Sequence, residues 1–396
     1  MLLNRTLPGL LAAAALAAAP VRAQQAGDRP EPGHGSITTR LGIYGKSDDG
    51  GGNPFYDEDL AVVEPALILD YALDSQWRLG ATFLYDYVSS ASIERLSRKR
   101  YYPKTQQSGA SGDFYVGGDV QAHYRQDDRN TWGGHIGYSR EYDYGSLALG
   151  GDYEWRKPGG DGRLQASLES YLDSVHVIRW NGTSHGSAGR TSVAADLSWY
   201  QALGRSTHGS FGAVVSHQSG FLETAFNAVV LEDPSLPPNP ALVGRVRGIE
   251  TNEELPDTRL RTALYGRVRQ LLSDRTSLEL GGRFYRDDWG ILAWDLDPRL
   301  TRELAADRLL GWLHYRYYDQ NGADAYSDHF HGATAAAAPR YRTQDPELGP
   351  FHSQTVGLGL TWWGGAAWDF SLSLDVIFRS DGLDHYLAGF GWTWRF

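Results

Sequence analysis

The sequence predicts an all-β protein: a transmembrane, antiparallel, up-and-down β-barrel of about sixteen strands with both termini in the periplasm. Three observations predict it. Apolar and polar residues alternate with a period of two over segments of roughly ten to fifteen residues. A tilted membrane strand needs about 9–11, whereas strands of soluble proteins most often have about 5–6. Short turns alternate along the chain with longer connections rich in Gly, Pro and Asp, as in membrane barrels. Finally, only 41% of the residues are hydrophobic, with 47 Gly, 23 Tyr and 13 Trp, which is poor material for one aliphatic core. Beyond the first two dozen positions no apolar run reaches the ~18 residues of a helical span.

The N-terminus is a separate element. "MLLNRTLPGLLAAAALAAAPVRAQQ" has an early Arg5, an apolar stretch from Leu7 to Ala19 and small residues before Gln24. This pattern is a secretory signal over 1–23, cleaved after Ala23. Pro8 and Pro20 make the apolar stretch too short for an anchor. Residues 24–35 then form a short periplasmic segment, and 36–396 the barrel. There is no Cys, so the exported chain has neither disulfide nor lipid attachment site. The formal charge of −11 argues against nucleic acid as a partner.

Strands are expected at 36–45, 59–73, 76–89, 112–126, 130–141, 146–157, 162–175, 190–203, 207–221, 257–272, 275–286, 291–304, 307–319, 351–363, 367–379 and 385–396. Fourteen or eighteen strands are also compatible with the pattern. In the third strand Trp77, Leu79, Ala81, Phe83, Tyr85 and Tyr87 alternate with Arg78, Gly80, Thr82, Leu84 and Asp86. Near the end, Trp368, Phe370, Leu372, Leu374, Val376 and Phe378 share one face. Pro65 and Pro298 fall inside strands; Pro donates no ladder hydrogen bond, so bulges are expected there. The last strand presents Phe390, Trp392, Trp394 and Phe396 on one face. Lipid covers such a face without any protein core, provided closure pairs every backbone group. These four aromatics also resemble the C-terminal signature read by the barrel-assembly machinery.

Alternation assigns the inward residues. Arg259, Arg261, Arg267, Arg269, Arg283, Arg299 and Arg316 form a basic wall. Asp86, Asp119, Asp152, Glu154, Glu169, Asp173 and Asp196 form an acidic wall on another side of the lumen. Opposed walls would orient polar solutes and set selectivity; the same charges would equally brace a closed barrel. The expected function is a porin-like channel or binding barrel for small polar solutes in the bacterial outer membrane.

The remaining motifs carry less. "ERLSRKRYYPK" (94–104) lies in an outer connection, either solvated or gripping lipopolysaccharide phosphates. His329 and His331 near Asp324 and Asp328, and Asp48, Asp49 and Asp57, have metal-ligand character without a full pattern, so no metal is assigned. There is no G-x-S-x-G and no Walker loop. Ser184 and His185 are adjacent in sequence, which makes no triad, and His123 and His135 beside Asp119 have no obvious serine. The chain is read as a non-enzyme without cofactor.

"YDYVSSAS" (85–92), "YSREYDYGSLALGGDY" (138–153), "GGRFYRDDWGI" (281–291) and "HYRYYDQNGADAYSD" (314–328) resemble domain-of-unknown-function family 3570. The resemblance implies an exported outer-membrane barrel and brings no substrate or catalytic residue. After "DDWGI" the family continues with a Ser-His-containing stretch, where this chain has "LAWDLDP". Members are often encoded beside flavin-transferase and thioredoxin-like proteins. That association implies the alternative of a closed barrel partnering periplasmic redox or metal-handling proteins. The expected partners are therefore outer-membrane lipid and lipopolysaccharide, the barrel-assembly machinery and a periplasmic protein, with the oligomeric state left open.

Overall fold

A computed structural model describes residues 31–49, 51–55, 59–88, 113–240 and 242–396. The signal segment 1–23, Asp57 and the basic run 94–104 lie outside the described residues. The strands in chain order are β1 (Gly35–Asp48), β2 (Leu60–Ala72), β3 (Trp77–Val88), β4 (Asp113–Arg125), β5 (Asn130–Arg140), β6 (Tyr144–Arg156), β7 (Gly162–Ile178), β8 (Ser184–Ala202) and β9 (Thr207–Gly220). They continue with β10 (Ala228–Glu232), β11 (Gly248–Asn252), β12 (Thr258–Ser273), β13 (Thr276–Asp287), β14 (Leu292–Ala305), β15 (Leu309–Gln320), β16 (Phe330–His331), β17 (Phe351–Trp363), β18 (Trp368–Arg379) and β19 (Leu383–Arg395). Sixteen of them close a barrel in which every neighbouring pair is antiparallel. β10, β11 and β16 form a separate small sheet.

Closure is made by β1 against β19, in register from Ser36↔Arg395 to Asp48↔Leu383. Gly35 and Phe396 exchange both backbone hydrogen bonds at 2.9 and 3.0 Å. The described N-terminal strand and the last residue therefore meet at the end that carries the short turns. Closure matters because an open edge cannot be satisfied in hydrocarbon. The outward faces are apolar and uncovered: Leu264 is 57% exposed, and Phe390, Trp392, Trp394 and Phe396 line up on β19 and just beyond it.

Two expectations need correction. At Pro65 the β2–β3 ladder runs Val63↔Tyr87, then Ala66↔Leu84, so pairing lapses without a change of register. At Pro298 the β14–β15 ladder runs Leu296↔Tyr317, then Arg299↔His314, again in register. Neither proline makes a bulge. Each keeps its place opposite the other neighbouring strand, Leu41↔Pro65 and Leu280↔Pro298, where its missing donor is not called on. The β7–β8 hairpin also reaches further than alternation suggests, to Ile178↔Ser184. Val175, Val177 and Ile178 are buried there against protein, so the outer end of this hairpin departs from the membrane pattern.

The dry aliphatic core sits in the loops. Val229, Val230 and Leu231 of β10 are fully buried, each burial worth about 1.5–3 kcal/mol. Val229 and Leu231 pack with Phe330, Ile249 and Ala338; Val230 packs with Phe55, Leu242 and Val246. A neighbouring cluster joins Leu222, Leu255, Trp289, Ile291, Ala323 and Leu348. Connections 221–257 and 321–350 thus fold together as a cap at the long-loop end.

Candidate functional site: the lumen and its capped mouth

Inward residues come from every second position of each strand, so the lumen wall inherits the polar half of the alternation. Several side chains reach two strands across by passing over a glycine. His135 on β5 contacts Glu169 on β7 (Nε2–Oε2 3.1 Å) over Gly150, where a Cβ would overlap both groups. His123 reaches Asp152 at 3.4 Å over Gly133 in the same way. On the opposite wall His314 lies 2.7 Å from Asp297 and 3.5 Å from Asp375, the latter over Gly357. The glycines are therefore clearances that let the wall be cross-braced by polar bridges.

The structure turns all seven predicted arginines inward, because Leu260, Leu264, Val268, Phe284, Leu300 and Leu313 occupy the outer face of their strands. It does not leave them a wall of one sign. Arg259 donates to Asp287 through Nε (2.9 Å) and Nη2 (2.5 Å). Arg267 meets Glu279 at 3.1 Å and Asp297 at 3.5 Å; Arg269 lies 3.7 Å from Glu279. Arg316 pairs with Asp295 at 2.6 Å, and Arg299 lies over the Trp312 ring at 4.7 Å. Arg261 and Arg283 have no carboxylate partner among the described residues.

The seven acidic positions face inward too and are similarly interleaved. Asp173 is bound by Arg190 at 2.6 Å and Ser146 at 2.7 Å. Glu154 meets Arg156 and Arg163, and Asp196 accepts the Tyr265 hydroxyl at 2.8 Å. Glu169 and Asp152 take the histidines described above; Asp86 is buried toward the long-loop end of β3, and Asp119 lies nearer the middle of β4. Both walls therefore carry interleaved charges of the two signs. Seven arginines on β12–β15 are offset by Glu279, Asp287, Asp295, Asp297 and Glu303, which leaves a modest positive excess there. Paired charges cancel at distances comparable to the screening length of ~8 Å. The acids on β12–β15 follow the same alternation as the arginines and face the same lumen.

The cap is attached through "FYRDDWGI" (284–291) and "YRYYDQNGADAYSD" (315–328). Asp287 of "FYRDDWGI" accepts from Arg259, the Tyr285 hydroxyl (2.8 Å) and the backbone N–H groups of Trp289 and Ile291 (3.1 and 2.9 Å). Trp289 donates its indole N–H to the Thr258 carbonyl at 2.8 Å. In the second motif Gln320 donates to the carbonyls of Gly349 (2.6 Å) and Glu347 (3.2 Å), and Asn321 donates to that of Gly290 (2.9 Å). Gly290 has φ +92°, and a Cβ there would run into Asp324. Arg379 at the lumenal end of β18 grips Glu347 (2.6 Å) and Asp381 (2.5 Å). Burial pushes the Glu347 carboxyl up, but Arg379, His385 and Lys46 outweigh it and hold it at about 2.

Inside the cap Glu253 is fully buried. It accepts from the Thr224 N–H and the Thr343 hydroxyl, both at 2.6 Å, and from Asn227 at 3.5 Å. Burial, with the charge of Asp345 added, pushes its carboxyl up to about 7. The metal-like spacings are not assembled into a site. His329 binds Glu232 at 2.8 Å and ties β16 to β10, and among the described residues no group of three potential ligands converges. Ser184 contacts His176 at 3.1 Å rather than its neighbour His185.

At the short-turn end the lumen opens into a cavity of about 630 Å³, lined by residues that include Tyr200, Arg205, His208, Arg269, Glu303 and Trp363. Among the described residues nothing closes this mouth, whereas the cap lies over the other, with contacts to the ends of β7, β12, β15 and β18.

A closed sixteen-strand antiparallel wall with an apolar exterior and a charged interior defines the outer-membrane β-barrel class of fold. The chain belongs to the family described as "Protein of unknown function (DUF3570)", which matches residues 169–381. That span includes the "FYRDDWGI" and "YRYYDQNGADAYSD" motifs, whereas the two earlier motifs precede it. A comparison with curated proteins gives no match. Among solved structures the chain is similar to a "Bacterial polysaccharide outer membrane secretin" (TM-score 0.50, 10% identity, covering 91% of this chain and 98% of that one). It is also similar to the "CymD monoaromatic hydrocarbon channel" (TM-score 0.41, 9% identity, 92% and 89% covered). A third is OccK1 (OpdK) of Pseudomonas aeruginosa (TM-score 0.40, 9% identity, 92% and 98% covered). At these identities the likeness concerns the fold alone.

Proposed function

We propose that this protein is a porin-like outer-membrane barrel that admits small polar solutes into its lumen from the periplasmic, short-turn end. The observation that carries this reading is the asymmetry of the lumen among the described residues: a charged wall with a cavity at the short-turn mouth and a dry, hydrogen-bonded cap over much of the other. The cap regulates access to the outside. On this reading the long loops face outward, the signal segment is removed on export, and the aromatic end of β19 serves recognition by the barrel-assembly machinery. The alternating lumenal charges favour solutes with their own polar groups, because an apolar solute would displace water from paired ions at a cost. Planar-bilayer recording of the purified barrel tests the proposal. Unitary conductance is expected, rising when the cap is loosened. Repeated insertions of folded barrel that carry no current, with or without a loosened cap, would overturn it. They would favour a closed barrel that acts through a periplasmic partner, a reading to which the dry core of the cap lends itself.

A further inference from the structure

Beneath the cap, between β7–β9 and β12–β13, three arginines share two carboxylates. Arg190 uses Asp173 and the Tyr144 hydroxyl (3.2 Å). Arg259 uses Asp287 and lies over the Trp289 ring at 4.2 Å. Asp287 stands directly across from Arg261 in the β12–β13 ladder, but its oxygens are already taken by Arg259, Tyr285, Trp289 and Ile291. Among the described residues Arg261 is thereby left as a third cation without a carboxylate bonded to it, its Nε shielded from water and bonded to no acceptor.

A second orphan stands on the adjacent strand. Gln218 on β9 is buried; its amide N–H goes to Ser192 at 3.0 Å, and its Oε1 has no donor among the described residues. The register places Gln218 opposite Arg259 and Ser216 opposite Arg261, so both orphans belong to one patch of lumenal wall. Leaving a buried donor or acceptor unmade costs about 1–3 kcal/mol, more when it is charged. An arginine fork matches a carboxylate, and a free amide oxygen matches a hydroxyl or an ammonium.

We propose that Arg261 and Gln218 form a binding site for small carboxylates that carry a hydrogen-bond donor beside the carboxylate, such as 2-hydroxy acids. The carboxylate sits on the Arg261 guanidinium, and the hydroxyl donates to Gln218 Oε1. This inference rests on the reading that solutes enter the lumen, and it names the class of solute held just below the cap.

Equilibrium dialysis of the full barrel in detergent against labelled lactate tests it, with conductance measured separately on the same preparation. Lactate is expected to bind saturably, propionate several-fold more weakly, and 1,2-propanediol not at all. Arg261→Met is expected to weaken lactate binding at least tenfold. Arg261→Lys, which keeps the charge and loses the fork, is expected to weaken it less. Arg286→Met on the outward face is expected to leave it unchanged. Should Arg261→Met fail to fold, as judged by heat-modifiable gel mobility, the lysine variant and the propionate comparison carry the test. Absence of saturable binding, or equal binding by wild type and Arg261→Met, overturns the site. Propionate bound as tightly as lactate overturns the assignment of Gln218. A barrel that conducts without binding lactate loses this site alone; one that binds lactate without conducting loses the channel reading alone.

Discussion

Glu253 makes the docking of the cap depend on pH, and the direction follows from its surroundings. It joins connection 221–257 to connection 321–350 through the Thr343 hydroxyl, with Asp345 close by and no cationic side chain paired with it among the described residues. Its ordinary value is 4.5, and the docked cap moves it to about 7. Below pH 4.5 both docked and undocked forms hold the proton, and docking is unpenalised. Between 4.5 and about 7 the undocked loop releases the proton while the docked one retains it, so docking weakens as pH rises. Above 7 the penalty is constant. The interval corresponds to about 3 kcal/mol at about 1.4 kcal/mol per pH unit. From pH 5 to pH 8, opening of the cap is therefore expected to rise on the order of a hundredfold. Hydrogen–deuterium exchange of peptides covering 222–256 and 325–350, corrected for intrinsic rates, reads it directly. Glu253→Gln removes the titration while keeping the shape, and its protection is expected to stay flat over the same range. Should the native protein and the Glu253→Gln variant show the same pH dependence, Glu253 is not the titrating group and the reasoning fails.

Arg379→Ala leaves Glu347 and Asp381 without their cation in a largely covered pocket, which costs about 3–5 kcal/mol of cap docking. Exchange at 344–350 is expected to accelerate accordingly while the barrel ladders stay protected. Glu347 has the opposite pH sense to Glu253: its contribution is present above 4.5 and lost as pH falls toward about 2, and Arg379→Ala removes that acid limb in the same exchange experiment. Gly150→Val drives a side chain into His135 and Glu169 and is expected to cost about 1–3 kcal/mol, read as a lower unfolding temperature of the purified barrel, with Gly134→Ala on the outward face nearly neutral. Replacing Trp392, Trp394 and Phe396 by Ala together is expected to cut assembly in membranes severalfold, read as the fraction of folded protein by gel mobility, with less effect on refolding in detergent. Equal losses in both would make the aromatic face structural only.

The wall was legible because lipid imposes one rule on every strand. Leu264 and Phe390 face outward for the same reason, and period two therefore located all sixteen barrel strands. The cap was not legible because its constraints are non-local. "AVVLE" at 228–232 has four consecutive apolar residues, buried in clusters that include Phe55, Ile249 and Phe330, which lie from about 20 to 170 positions away. No alternation marks such a segment, and its Pro- and Gly-rich flanks read as loop. The same holds for the bulges expected at Pro65 and Pro298: sequence shows a missing donor, but only the ladder shows which neighbour it faces.

The distribution of polar partners separates what the family motifs do from what the lumen does. In "FYRDDWGI", Asp287 binds Arg259 and two backbone N–H groups, Asp288 accepts the Leu260 N–H, and Trp289 reaches Thr258. In "YRYYDQNGADAYSD", Gln320 and Asn321 hold the carbonyls at 347, 349 and 290, and the Asp324 N–H donates to the Trp289 carbonyl at 2.9 Å. Most of the polar groups in these two stretches hold the capped mouth together, and the stretches bond to each other across β14. Arg261 and Gln218, two lumenal groups left with unmet hydrogen bonds, lie outside both motifs. On the proposed reading, cap attachment and solute binding thus draw on largely different side chains. Substitutions in the motifs should change when the mouth opens, and substitutions at Arg261 should change what the lumen holds.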